Sequence, residues 1–201
     1  MSSDFLVWRP GTLKDGICKL RDIEGVEDSY EIDEGVSRLD AWPEAAFATM
    51  HPSFPKDIGL ADSLDGAGFV IVSGRVKQVL AEAVPPGVPA RNRVELLPIR
   101  IVDHKGQTAS TDYFVVNPLE LCDCIDVAAS GGRWNAIDPE ALCGCTSLVL
   151  REAEIPPGHQ VFRPTAWKNI ILVRRALAQR MLTAGLTGLM FIEPLKYTGL
   201  V

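Results

Sequence analysis

The chain has 201 residues, which is enough for one well-buried core and marginal for two. With 47% hydrophobic and 23% charged residues it can bury such a core, which excludes a disordered chain. Its 20 Lys plus Arg against 26 Asp plus Glu give a net charge of −6, so the basic stripe that counterion release requires is missing and no nucleic-acid partner is expected.

In chain order, FLVWRP near the start has the β-formers of a short strand, closed by the turn signal Pro10-Gly11. The next stretch is acidic: Asp22, Glu24, Glu27, Asp28, Glu31, Asp33, Glu34 and Asp40 are opposed only by Arg21 and Arg38. Within it Tyr30 and Ile32 alternate with Glu31 and Asp33, which predicts a half-exposed strand. Two readings of the acid stand side by side: a solvated edge, or a surface that steers a basic protein partner, with Asp28, Glu31, Asp33 and Glu34 as its contact residues. Pro43-Glu44-Ala45-Ala46 predicts a short helix, and the prolines of HPSFPKD predict a loop.

FVIVS from Phe69 predicts a strand, Ser73 a helix cap, and Val76, Val79, Leu80 and Ala83 the buried side of the helix that follows. The Pro-rich stretch 85–89 ends that helix. VELLPIRIVD, the turn HKGQTAS and TDYFVVN predict a hairpin over 94–117. NIILV and RRALAQRMLTAGL repeat the strand-then-helix pattern, with Ala176, Leu177, Met181 and Ala184 on the buried side, Gly185 as the terminating glycine, and GLMFIEP as the strand that follows. The expectation is an α+β fold: a single domain over 1–201 with a mainly antiparallel sheet and two similar strand-helix-strand units, residues 1–42 forming an acidic N-terminal arm and 43–201 the core.

Chemistry-bearing residues are sparse. Cys122, Cys124, Cys143 and Cys145 form two C-x-C pairs whose thiols could surround a zinc ion, although structural zinc sites favour wider spacing. Buried apolar thiols are the plainer reading. His51, His104 and His159 lie in loop-like settings with no motif linking them to a thiol, and no hydrolase, nucleotide-binding or metalloprotease signature is present, so no catalytic residue is assigned. Trp8, Trp42, Trp134 and Trp167 are expected as core anchors, with interface contact as the alternative. The N-terminus has no export pattern, no apolar run is long enough to span a membrane, and the cysteine count is odd. A cytoplasmic chain with reduced thiols, no membrane partner and no cofactor is therefore expected.

The segments FPKDIGLADSL, GFVIVSGRVKQVL, VELLPIRIVDHKG, DYFVVNPLELCDCIDVAAS, WNAID, HQVFRP and NIILVRRALAQRMLTAGLTGLMFIEP, spanning roughly 47 to 194, resemble in order and spacing a bacterial family. It was once catalogued as a domain of unknown function and was later placed among the polymorphic-toxin immunity proteins, typed on a myxobacterial member. The resemblance implies a cytoplasmic protein that sits on a cognate protein toxin and blocks it, without catalysis or cofactor. It carries over no binding residue, and Cys143-Gly144-Cys145 lies outside it. A zinc- or thiol-dependent enzyme, and a regulatory or structural subunit of a larger assembly, remain as alternatives; the oligomeric state is not legible.

Overall fold

A computed structural model describes residues 2–11, 15–83 and 94–199. The strands in the first half are β1 (Phe5–Arg9), β2 (Leu20–Glu24), β3 (Phe47–Met50), β4 (Ser63–Gly66) and β5 (Phe69–Ser73), followed by helix α1 (Gly74–Glu82). The long hairpin β6 (Val94–Val102) and β7 (Thr108–Pro118) leads to β8 (Leu121–Cys122), helix α2 (Val127–Ser130), β9 (Arg133–Trp134) and β10 (Leu142–Gly144). The chain then forms β11 (Val161–Pro164), β12 (Ile171–Arg174), helix α3 (Arg175–Thr183) and β13 (Met190–Ile192).

These elements make an α+β fold with a closed six-stranded barrel, β2-β3-β6-β7-β5-β4, and a five-stranded sheet, β13-β1-β12-β11-β8. Among the described strands, pairing is antiparallel except for β2–β4, β3–β6 and β8–β11. β5 and β6 lie on either side of β7, and β12 and β13 on either side of β1.

The period-two alternation of a strand explains how one chain builds separate cores. On β5, β6 and β7, Ile71, Leu97, Ile99, Ile101, Tyr113 and Val115 point one way and join Leu20, Ala48, Met50 and Leu64 in the barrel interior. That interior is packed with side chains, as in other small barrels, and is not a lumen. The alternate residues Val70, Val72 and Val116 point outward and meet α1 and α3 together with Leu6, Trp8, Val161, Ile171 and Val173 from one face of the five-stranded sheet. The opposite face of that sheet, with Phe5, Val7, Phe162 and Leu172, buries a further core with Cys122, Cys124, Leu142, Cys145 and Trp167.

The strand and helix expected from Phe69, the hairpin over 94–117, and the strand and helix expected from Asn169 all form. Ser73 occupies the N-cap of α1, yet its hydroxyl donates to Asp62 Oδ1 at 2.8 Å in place of a cap bond. Gly185 follows α3 at φ +68°, its N–H on the Leu182 carbonyl, as a terminating glycine does. The buried side of α3 is Leu177, Ala178 and Met181, whereas Ala176 and Ala184 are exposed. The Pro-rich stretch 85–89 lies outside the described residues.

Two expectations are corrected. Tyr30 and Ile32 do not belong to a strand: Ser29–Glu34 is a 3-10 helix, set off by left-handed residues at both ends, Asp28 at φ 50° and Gly35 at φ 71°. The strand of this region is β2, whose buried residues Leu20 and Ile23 are three apart because the β2–β3 register shifts between them, so no alternation marks it. Residues 43–46 form a turn, with the Ala46 N–H on the Pro43 carbonyl, and lead into β3. Within residues 1–42, β1 lies between β12 and β13, and β2 lies in the barrel wall.

Candidate functional site

The four acidic residues singled out in the sequence fall on the 3-10 helix and its entry. Ile32, fully buried, drives that helix into the end of the barrel core, a burial worth roughly 1.5–3 kcal/mol. Three of the four carboxylates are held by cations of the same chain. Glu31 pairs with Arg38, whose other nitrogen donates to the Glu27 carbonyl at 2.7 Å. Glu34 accepts from Lys168 at 2.6 Å. Asp33 lies 3.6 Å from the guanidinium of Arg163.

Arg163 comes from β11, and its side chain is only 1% exposed. Its guanidinium donates to the carbonyls of Ile32, at 3.0 Å, and Lys168, which ties the 3-10 helix to the five-stranded sheet. Burial lowers the pKa of Arg163 to about 10 despite the attraction of Asp33 and Glu34. Desolvation pushes the Asp33 carboxyl up to about 6, and the Arg163 charge only partly offsets it.

Behind this helix a second polar cluster closes the segment. Glu95, almost wholly buried on β6, accepts from the Ser37 hydroxyl, the Arg38 N–H at 2.9 Å and the Asn117 amide at 3.0 Å, and that amide also donates to the Val36 carbonyl. The segment from Glu27 to Asp40 is thus pinned at several points, and its outward side carries Glu27, Asp28 and Asp40 interleaved with exposed Tyr30, Val36 and Leu39. Leu121, also exposed, adjoins this row through Gly35, where an added Cβ would stand 3.2 Å from its methyl group. Of the four residues first chosen, Asp28 is the one on this outward side with no cation against it among the described residues.

The thiols do not converge. Cys122 and Cys124 are buried together, and Cys145 is buried with its thiol on the Tyr197 carbonyl at 3.3 Å. Cys143 is exposed and faces the carbonyls of Arg133 and Trp134. Alternation would place Cys143 and Cys145 on one face, but the β9–β10 register shifts between Leu142 and Gly144 and turns them apart. Among the described residues no three His, Cys, Asp or Glu side chains are grouped to hold a metal ion. Burial raises the pKa of Cys122, Cys124 and Cys145, and that of Cys18 to about 11, so at neutral pH these groups stay thiols and are weak nucleophiles.

The model of the immunity protein family Imm11 matches residues 20–195. The chain belongs to that family. It is an immunity protein, whose task is to neutralise a toxin. No curated protein matches the chain.

The immunity protein has a second exposed feature on the far side of a cavity of about 570 Å³, lined among others by Trp8, Arg9, Asp33, Asp65, Asn135 and Trp167. There β9 and β10 project as a small finger. The four tryptophans, expected in the core, divide: Trp8 and Trp167 are buried, Trp42 is half-buried with its indole N–H on the Pro98 carbonyl at 2.7 Å, and Trp134, on the finger, is 49% exposed. No described helix is long and apolar enough to cross a membrane.

Proposed function

We propose that this immunity protein neutralises its toxin by direct binding, as one cytoplasmic domain over 1–201 and without catalysis or a cofactor. The observation that carries the reading is the pinned segment 27–40, which displays Tyr30, Val36 and Leu39 among the acidic side chains Glu27, Asp28 and Asp40. Apolar side chains among charges of one sign suit a partner surface with the opposite charge, where attraction raises the capture rate and apolar contact holds the complex. The basic active-site surface of a toxin that cleaves or binds a polyanion has that character. Asp28 acts there directly; Glu31, Asp33 and Glu34 contribute by fixing the segment to Arg38, Arg163 and Lys168. The two strand-helix-strand segments, β5-α1-β6 and β12-α3-β13, are read as copies of one device whose helices pack together and hold the barrel against the sheet.

The test is expression of the tagged full chain in its native host, with identification of what co-purifies and measurement of metal on the same sample. A stoichiometric toxin domain without metal is the expected result. Zinc in place of any protein partner would overturn the reading.

A further inference from the structure

We infer that the β9–β10 finger is a second apolar anchor of the complex, beside segment 27–40, and inserts into a basic-rimmed pocket of the toxin. This rests on the reading that the chain captures a toxin directly.

The finger combines a rooted base with an exposed tip. At its base Leu142 is buried in the core with Cys145 and Trp167. At its tip Ile137 is 93% exposed, and Trp134 stands half-exposed on the adjoining strand. Side chains like these add little to folding stability from where they stand, and Trp is among the residue types that dominate binding energies.

The tip is also rigid by its own hydrogen bonds. Asn135 Oδ1 accepts from the N–H of Ile137 at 2.8 Å, and Asp138 Oδ1 accepts from the N–H of Glu140 at 3.1 Å. The Asn135 N–H donates to the Ala141 carbonyl at 2.8 Å, and the Ala141 N–H to the Asp138 carbonyl at 3.1 Å. The loop is therefore ordered before any partner arrives, so association loses little loop entropy.

Charge selects the partner. Ile137 is followed by the exposed acids Asp138 and Glu140, and Asp33 of the acidic segment lines the same cavity as Asn135 at the root of the finger. A second copy of this chain, at net charge −6, would meet that tip with like charge. A pocket with an apolar floor and a lysine or arginine rim complements both parts of the tip.

The experiment uses the full chain and the toxin domain that co-purifies with it. Ile137→Asp and Ile137→Ala are compared with the unaltered chain and with Ile58→Asp, a substitution at another exposed apolar residue. Ile137→Ala weakens binding on the order of 10- to 100-fold, mostly through faster dissociation. Ile137→Asp weakens it further, Ile58→Asp leaves it within about twofold, and all three keep the parent melting temperature because the altered side chains pack against little. A photo-crosslinking residue at 137 labels the toxin. Parent-like affinity of both Ile137 variants, or a crosslink only to a second copy of the chain, overturns the inference and leaves direct capture standing. An unaltered chain that does not bind the toxin overturns both.

Discussion

The Asp62 carboxylate accepts both the backbone N–H of Thr187, at 2.9 Å, and its hydroxyl, at 3.0 Å, joining the entry of β4 to the loop after α3 across 125 residues of chain. Ser73 and Arg75 donate to the same carboxylate at 2.8 and 3.0 Å, and the Asp62 N–H donates back to the Thr187 hydroxyl. One buried acid thus fastens the barrel, the start of α1 and the C-terminal unit together.

Removing that acid leaves the buried Ser73 hydroxyl, and the part-buried bonds from Thr187 and Arg75, without their acceptor. Asp62→Ala is expected to cost about 2–4 kcal/mol, seen as a lower urea midpoint. Burial opposes ionisation of Asp62, but the Thr187, Ser73 and Arg75 contacts outweigh it and hold the carboxyl below its ordinary value. A folded-state value below the unfolded one gives stability that is present above the unfolded value and lost as pH falls through the folded one. Asp62→Asn should therefore flatten the loss of stability below about pH 4.

Asp33 has the opposite sign. Its carboxyl is raised to about 6, so the folded state holds the proton more tightly than the unfolded chain does. The contribution of this group is greatest in acid and declines as pH rises through about 6, then stays flat. Asp33→Asn removes the decline, and its stability relative to the parent should improve between pH 5 and pH 8 in denaturant titrations. A difference that is constant over that range would show that Asp33 is not desolvated by Arg163 and the barrel end.

The β4–β5 hairpin carries backbone strain. Ala67 and Gly68 are its two loop residues, both at positive φ, 53° and 99°, between the paired Gly66 and Phe69. A left-handed conformation costs an ordinary residue roughly 1–2 kcal/mol, and asparagine is favoured in the first position of such a turn. Ala67→Asn should stabilise the protein by about 0.5–1 kcal/mol, measured by thermal unfolding, with no change in fold.

Much of this architecture is legible in the sequence, and where legibility fails there is a physical cause. Strands with strict alternation, such as Leu97, Ile99 and Ile101, announce themselves, and so do helices with a regular apolar face and a terminating glycine. β2 is hidden by the register shift between Leu20 and Ile23, and the 3-10 helix imitates a strand in sequence because Tyr30 and Ile32 alternate with Glu31 and Asp33, although only Ile32 is buried. Barrel closure depends on β2–β4 and β3–β6, parallel pairings between distant segments that no local pattern encodes. In the proposed binding surface the acidic run is visible, but its division into paired and outward charges depends on Arg163 and Lys168, more than a hundred residues away. The finger left one faint signal, Trp134 with Asn135 and Asp138 in a turn-rich stretch, which composition alone did not separate from a core anchor.

That division of charge leads to a prediction that separates two roles for the acidic run. Glu27, Asp28 and Asp40 are exposed, whereas Glu31, Asp33 and Glu34 each face a cation of their own chain. Long-range attraction follows net local charge, so the exposed set dominates steering and the paired set, nearly cancelled, dominates local order. Neutralising Glu27, Asp28 and Asp40 together should slow association with the toxin about 10-fold at low salt and flatten its salt dependence, with dissociation little changed. Neutralising Glu31 and Glu34 should instead leave association within about twofold and speed hydrogen exchange along residues 29–34, because the helix loses Arg38 and Lys168. Stopped-flow association across a salt series, with exchange measured on the same proteins, distinguishes the two sets. If both sets slowed association equally, the acidic run would be steering as a whole, and the ion pairs to Arg38 and Lys168 would not shield it.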